Sequence, residues 1–562
     1  MGPQLLDRLP ETRRPRLLLS LLCLLLWLPG FFTLPPGDRD ESRFAQASRQ
    51  MVESGDWVRI RNQEEERNKK PVGIHWAQAG VVTLLDAAGL PARDAIWAYR
   101  IPSALGAWIA VLATFGLGRA LVGRRAAFLG AALLASTLLL GVEAHIAKTD
   151  AALLATVAVS MGLMGRAYLS PGTFSARQAT GFWLALGVGI LLKGPIGPLV
   201  PLLAGITLAV SDRRAPWLRA LRPGWGLPLA LAVAVPWLVA IGIATEGRFF
   251  AQAVGGDMLS KVGSGEESHW GPPGYYLLIS GLTAFPAAFL VLRALPGAWA
   301  ARLQPATRFL LAWAAPTWLV FEAVSTKLPH YVLPAFPALM LLAGAWALDP
   351  LRRRPPRWLA GLGWLALGGV ALGLAAVAAV LPWIADRRVD PVALLAIPAA
   401  GLLVWQVVLH GRDGQWARAG LAAAVLAVPL QWVLLGGVLP RLHAPWIAPR
   451  LAAAADALGM PAQQVGLMGF HEPSGVFAIG TRVRLLRDVP DAMAFLAEGQ
   501  ARGEARLVAV PAPVRAALAA AAAQRALPLR EDGQVGGFNY TRGRAVTLLL
   551  FRFEPGEAPA PR

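Results

Sequence analysis

The chain has 562 residues, 56% of them hydrophobic and only 15% charged, with a formal net charge of +19. That apolar share is more than a soluble core of this size needs, which excludes an ordinary water-soluble enzyme and makes a bilayer the expected solvent. The positive charge comes as short Arg clusters between long apolar runs, a topology pattern rather than a nucleic-acid surface, and Cys23, the only cysteine, excludes an internal disulfide or a cysteine metal cluster.

The basic start Arg13, Arg14, Arg16 and the apolar run 17–34 have the outline of a signal peptide. No small-residue cleavage site follows, and Trp27, Phe31 and Phe32 resemble an interfacial belt, so a retained first helix is expected. With about 20 apolar residues per crossing, the sequence predicts about thirteen transmembrane helices. They lie near 17–34, 97–117, 126–144, 151–168, 178–192, 195–211, 226–244, 273–293, 308–324, 330–348, 358–384, 392–409 and 417–438. The reading is an all-α polytopic membrane domain over 1–440.

Arg-rich loops alternate with Arg-poor ones. Arg119/Arg124/Arg125, Arg166/Arg177, Arg213/Arg214/Arg219/Arg222, Arg293/Arg302/Arg308, Arg352/Arg353/Arg354/Arg357 and Arg412/Arg418 fall on the side of the N-terminus, which is therefore expected to be cytoplasmic. The long first loop, 36–72, is then outside. Its segment from Asp40 places Phe44, Met51 and Val52 on one helical face, predicting an amphipathic helix on the membrane, with Asp38 as its N-cap. After Pro440, strand-like runs at 465–470, 482–486, 506–510 and 545–553 and a helical pattern at 514–526 predict a small α/β domain over 441–553, outside the membrane. Residues 554–562 read as a disordered tail.

Basic charge here is spelled almost entirely as Arg. Six lysines remain, Lys69, Lys70, Lys148, Lys193, Lys261 and Lys327, and all six fall on the outer side, as expected if a compact ammonium is needed there. Asp40, Glu41, Arg43, His75, His145, Asp150, His269, His330 and Tyr331 gather on the same side, at the water boundary where charge is less costly than at mid-membrane. The histidines come singly, without an i, i+4 pair, so hydrogen bonding is expected of them rather than zinc. Phe470, His471 and Glu472 form an ordinary loop or, alternatively, a glycan contact.

The run D-E-S-R-F-A-Q-A-S-R-Q-M-V-E-S-G-D-W at 40–57 with K-K-P at 69–71 resembles the first periplasmic loop of the aminoarabinose lipid A transferases, which are GT-C glycosyltransferases like the protein O-mannosyltransferases. K-T-D at 148–150, K-G-P at 193–195, H-W-G-P-P-G-Y-Y at 269–276 and K-L-P-H-Y-V-L-P at 327–334 extend the resemblance through the membrane part in the same order. It implies an inverting transferase in a bacterial inner membrane. A sugar would move from a polyprenyl phosphate to an envelope acceptor such as lipid A, with membrane lipids as further partners and no nucleic acid.

By resemblance, Asp40 matches the catalytic aspartate and Asp150 the second-loop aspartate. Arg43, Lys70, Lys193 and Lys327 are the candidate cations for the donor phosphate, whose growing charge needs preorganised positive groups. Glu41, Lys148, His269 and Tyr331 are expected at the sugar or acceptor. Members of the family commonly carry Glu before the loop lysine, an acid that can help hold a divalent metal. Lys69 stands there instead, which removes a ligand and suits an uncharged or acidic sugar better than an amino sugar. The rival readings are a protein O-glycosyltransferase with the same donor and a lipid-linked sugar transporter. The latter is disfavoured by the lack of an internal repeat.

Overall fold

The computed structural model describes residues 12–259 and 271–556. Its larger part is helical, and Leu- and Ala-rich stretches form helices in most of the predicted apolar runs. Among the described residues, seven helices are long and apolar enough to cross a membrane: Ile96–Val122, Asp150–Leu169, Pro223–Ala244, Pro329–Leu348, Arg357–Asp386, Pro391–Arg412 and Trp416–Arg441. An eighth arises if the pair Arg124–Ser136 and Leu138–Ala144, bent by 62°, counts as one.

Of the thirteen expected spans, three are shortened or interrupted. The run 17–34 is helical only over Pro15–Trp27 before it turns, and 273–293 is divided into Tyr275–Thr283 and Ala288–Ala300. Ile196–Asp212 is helical but short.

Small residues set the helix spacing. A side chain added at Gly344 would come within 2.3 Å of the Ala126 carbonyl, and one at Gly106 within 2.5 Å of Ala152, so these backbones meet closely enough for wide van der Waals contact. Arg293, read as an inner-loop charge, is instead buried within Ala288–Ala300. It donates to the carbonyls of Phe289 (2.8 Å) and Ala360 (3.1 Å), with its guanidinium 4.3 Å from the Trp364 ring centre. At the other end of the Ile96–Val122 helix from the first loop, Arg119 and Arg124 lie beside Arg13, Arg14 and Arg16 around one recess.

The first loop carries the Asp40–Ser54 helix, a two-residue hairpin (β1, Arg61–Asn62; β2, Glu65–Glu66) and the Gly73–Ala87 helix. The amphipathic Asp40–Ser54 helix turns its apolar face to protein. Phe44 and Met51 are buried against protein, because the Gly73–Ala87 helix covers one side and the Pro473–Ile479 helix packs on another. Asp38 does not cap it. The cap position is Arg39, and the Asp38 carboxylate accepts from the Ser474 hydroxyl instead.

The C-terminal part is a five-stranded sheet of order β4-β3-β5-β7-β6, with β3 Val465–Met468, β4 Arg484–Leu486, β5 Arg506–Pro511, β6 Arg530–Asn539 and β7 Arg544–Phe553. β3 runs parallel to β4 and β5, and β7 is antiparallel to β5 and β6. The edge strand β6 was not expected, because its sequence Arg-Glu-Asp-Gly-Gln-Val-Gly-Gly-Phe-Asn lacks the β-branched alternation that marks a strand. Pairing with the apolar β7 imposes it. Of the expected tail, residues 557–562 lie outside the described residues.

Candidate active site

Segments far apart in sequence close around a polar chamber of about 550 Å3. The Asp40–Ser54 helix supplies Asp40 and Arg43; the hairpin and its exit supply Glu65, Glu66, Arg67, Asn68, Lys69 and Lys70. Lys148, Thr149 and Asp150 enter from the start of the Asp150–Leu169 helix, Lys193 from the end of Ala176–Lys193, and His330 and Tyr331 from the 3-10 turns before Phe336–Leu348. Asp40 opens the first turn of its helix, where the free N–H groups favour an acid. Its side chain is 55% exposed and lies 3.9 Å from Arg43 Nη1.

Behind Asp40 the backbone is unusual. Arg39 has φ 59° and ψ −109°, a conformation that glycine adopts freely and a side chain resists at a cost of about 1–3 kcal/mol.

At the chamber's inner wall, Asp150 is the centre of a charge cluster. Its carboxylate bonds the Lys193 ammonium and stands 3.6 Å from both Lys148 Nζ and His330 Nε2. Lys148 is also 2.9 Å from Glu143 Oε1 and 3.2 Å from His330 Nδ1. Burial opposes the Lys148 charge, but Glu143 and Asp150 outweigh it and hold the ammonium above its ordinary range. Lys193 lies 5.3 Å from the Tyr331 ring centre, within cation–π range.

A second cavity, about 450 Å3, adjoins the first and is lined mainly by apolar groups, among them Ile190, Ile196, Leu238, Phe249, Phe250, Phe321 and Val324. Lys69, Lys70, Lys193 and Tyr331 line both cavities. Cationic groups thus stand at the border between a greasy groove and a polar chamber.

Two expected site residues face elsewhere. Glu41 is buried and its carboxylate is fully engaged, accepting from Arg100 Nε (2.8 Å), Arg100 Nη2 (3.1 Å), Gly37 N (2.7 Å) and Ala147 N (3.0 Å). Lys327 donates to the Glu322 and Val324 carbonyls and pairs with the Glu322 carboxylate, while its neighbours Thr326 and Leu328 line the chamber. His269 lies outside the described residues.

The other histidines hydrogen-bond as expected. His75 Nδ1 meets Ser48 Oγ at 2.9 Å, and burial together with the Arg67 charge pushes its pKa down to about 3, so the ring is neutral. His145 bonds the carbonyls of Gly141 (2.7 Å) and Pro29 (2.9 Å). The 470–472 segment is a loop, with Phe470 buried, His471 on the Leu486 carbonyl and Glu472 on Asn539 and Thr541.

Sequence reading passed over Arg100, Glu143, Arg67 and Asn68. The signal for Arg100 was available, since a charge inside an apolar run is costly and is kept for a reason.

Among the described residues no group of three His, Cys, Asp or Glu side chains converges to hold a metal, and an exposed lysine, Lys69, occupies the place at the chamber mouth where the resemblance puts an acid.

Comparison with known proteins agrees with the geometry. The family described as dolichyl-phosphate-mannose-protein mannosyltransferase matches residues 69–239. An undecaprenyl phosphate-alpha-4-amino-4-deoxy-L-arabinose arabinosyl transferase of Pseudomonas paraeruginosa is 30% identical over 415 residues, covering 71% of this chain and 70% of the relative. That of Aeromonas salmonicida is 28% identical over 467 residues, covering 80% and 82%. The crystal structure of ArnT from Cupriavidus metallidurans bound to undecaprenyl phosphate shares the fold, with a TM-score of 0.74 at 20% identity over 97% of this chain and 99% of that one.

Proposed function

The chain belongs to the family of the undecaprenyl-phosphate aminoarabinose transferases, membrane glycosyltransferases of GT-C type, and we propose that it moves a sugar from a polyprenyl phosphate to lipid A or a related envelope glycolipid. The reaction takes place on the periplasmic face of a bacterial inner membrane, with the N-terminus cytoplasmic and the C-terminal domain, 441–553, periplasmic beyond a thirteen-span membrane domain.

One observation carries the reading: the apolar groove and the polar chamber meet at Lys69, Lys70, Lys193 and Tyr331. A polyprenyl-phosphate sugar has the same three parts in the same order, an apolar tail, an anion and a polar head. The tail lies in the groove, the phosphate on Lys70 and Lys193 at the border, and the sugar in the chamber before Asp40.

The acceptor oxygen attacks the anomeric carbon opposite the phosphate. The bond from that carbon to the phosphate oxygen breaks with its electron pair on the phosphate, which leaves as polyprenyl phosphate, and the configuration inverts. The leaving phosphate gains a negative charge that Arg43, Lys70 and Lys193 meet without reorganisation; one such donor is worth about 3 kcal/mol, or about a hundredfold in rate.

A hydroxyl acceptor passes its proton to Asp40, which is exposed to the chamber and paired only at 3.9 Å. A lipid A phosphate is already an anion, and Asp40 then orients it. Asp150 holds Lys193 and Lys148 in place and restrains their charge. Among the described residues six basic and four acidic side chains line the chamber, a surplus that suits an uncharged or acidic sugar better than an amino sugar. The match over 69–239 to protein mannosyltransferases favours, as second reading, a protein acceptor for the same donor.

The test is mass spectrometry of lipid A from cells lacking the gene, complemented with the native gene or with Asp40→Asn at equal expression. A sugar-sized mass present only with the native gene is expected. Three identical spectra would remove lipid A as acceptor, and restoration by Asp40→Asn would remove the essential role of that residue.

A further inference from the structure

The C-terminal sheet touches the membrane part at the segment that delivers Asp40. The Ser474 hydroxyl donates to the Asp38 carboxylate; the Asp38 N–H donates to Tyr540 Oη at 2.6 Å; and Arg39 Nη2 donates to the Thr541 carbonyl at 2.9 Å. Further along the same helix, Gln46 Nε2 donates to Thr481 Oγ1 at 2.7 Å and Arg49 Nη1 to the Phe477 carbonyl at 3.0 Å.

The groups that grip Asp38 and Arg39 are themselves braced. Ser474 sits in the Pro473–Ile479 helix, and Tyr540 and Thr541 in the turn between β6 and β7. Glu472 ties the two together, accepting from Asn539 Nδ2 (2.9 Å) and Thr541 Oγ1 (2.8 Å), while Asn539 Oδ1 accepts the N–H groups of Thr541 and Arg542 at 3.1 Å. Asn539 and Glu472 are both buried. Buried polar groups partnered in this way make the turn rigid.

What it meets is the strained residue, Arg39, one position before Asp40. A non-glycine residue stays in such a conformation only where its surroundings over-determine it, and here the surroundings are the C-terminal sheet.

We propose that the C-terminal α/β unit is a positioning clamp for the transferase reaction: Ser474 and Tyr540 hold Asp38 and the Arg39 turn so that Asp40 presents its carboxylate to the chamber. Ser474 and Tyr540 touch no substrate and act through Asp40. The proposal therefore rests on the catalytic reading of Asp40. It gives the C-terminal unit a task in each turnover rather than a separate binding function.

The full-length protein tests this in membranes at matched expression, with two readouts: the rate of sugar transfer to the envelope glycolipid, and the affinity for undecaprenyl phosphate as probe. Tyr540→Phe and Ser474→Ala are each expected to lower the maximal rate about tenfold while leaving probe affinity within twofold, because groove and cations are untouched. A third variant, Asp38→Cys with Ser474→Cys, replaces the hydrogen bond by a covalent staple; Cys23, the only native cysteine, is buried far along the first helix. It is expected to be active when oxidised and to lose at least tenfold on reduction of the same folded molecules, which a mere folding defect does not do.

Rates within twofold of native in both single variants, or a staple indifferent to reductant, would overturn the clamp. So would a parallel loss of rate and probe affinity. Asp40→Asn, run alongside, separates the two ideas: native activity there refutes the catalytic reading beneath the clamp, whereas an inactive Asp40→Asn with native Tyr540→Phe and Ser474→Ala refutes the clamp alone.

Discussion

Glu41 stands beside Asp40 in the motif and was expected at the substrate, yet the structure spends it on Arg100. The two readings predict opposite behaviour for Glu41→Ala. The carboxylate accepts four hydrogen bonds, two from Arg100 and one each from Gly37 and Ala147, and both charged partners are almost wholly buried. Arg100 also donates to the carbonyls of Phe31 (3.1 Å), Leu34 (2.8 Å) and Pro35 (3.0 Å), so the pair staples the end of the first helix to the first loop. Removing the acid leaves a buried, unpaired guanidinium, at a cost of about 3–5 kcal/mol. Set against a total stability of about 5–15 kcal/mol, this removes about a fifth of it at the least. Glu41→Gln keeps the shape and one good acceptor, and losing only the charge assistance costs about 1.5–3 kcal/mol. Folded yield and thermal midpoint of detergent-solubilised protein, measured beside activity per folded molecule, separate the readings. The structural role requires a steep loss of folded Glu41→Ala, a milder loss for Glu41→Gln, and activity per folded Glu41→Gln within a few-fold of native. A Glu41→Ala protein with native yield and midpoint but no activity would refute it and return Glu41 to the substrate.

Lys193→Met is expected to weaken undecaprenyl phosphate binding about tenfold to a hundredfold, the worth of a charged hydrogen bond, whereas Lys327→Met leaves that affinity within twofold and lowers the thermal midpoint; equal losses of affinity would contradict the placement. Asp150→Asn frees Lys193, so the same binding assay is expected to show tighter undecaprenyl phosphate alongside turnover lowered about a hundredfold, and weaker binding would argue against Asp150 as a restraint. Burial raises the Asp38 carboxyl from 3.8 to about 6, with Glu472 adding to burial and Ser474, Tyr540 and Arg39 opposing it. A carboxyl raised in the folded state contributes stability that is present below pH 4 and lost as pH rises through 6, up to about 3 kcal/mol; Asp38→Asn is expected to flatten that slope in thermal unfolding between pH 4 and 7. Lys148→Arg, which keeps the charge, is expected to lose at least tenfold in turnover while Lys69→Arg is tolerated, and the reverse order would refute a geometric requirement for an ammonium at Lys148.

How far the sequence revealed this arrangement depended on whether a property is local. Helical runs were legible because apolar length is a local quantity. Their continuity was not, since the break after Thr283 and the turn after Trp27 fall inside apolar runs with no change in hydrophobicity to mark them. β6 was invisible because an edge strand of Gly and polar residues borrows its conformation from β7. The chamber's membership was largely legible, with Asp40, Arg43, Lys70, Lys148, Asp150, Lys193 and Tyr331 brought together as expected. Direction was not: Asp40 and Glu41 are adjacent, and a helix turns successive side chains about 100° apart, so one faces the chamber and the other the protein. Only the position of Arg100, 59 residues away, decides which.

The lysines show what such a reading can and cannot extract. Their survival in an Arg-rich chain suggested a requirement for a compact ammonium, and four of the six, Lys69, Lys70, Lys148 and Lys193, line one chamber. The requirement is geometric at Lys148. Its nitrogen sits among Glu143, His330 and Asp150 at 2.9, 3.2 and 3.6 Å, three partners around one point, which a tetrahedral ammonium satisfies and a planar guanidinium does not without displacing the His330 ring. Lys327 meets the same demand for another purpose, because carbonyls and a carboxylate at a helix end also surround a single point. Lys69 is exposed and lines both cavities. Residue choice therefore reports the shape of the hole around a charge, and two of these holes serve the chamber and the fold separately.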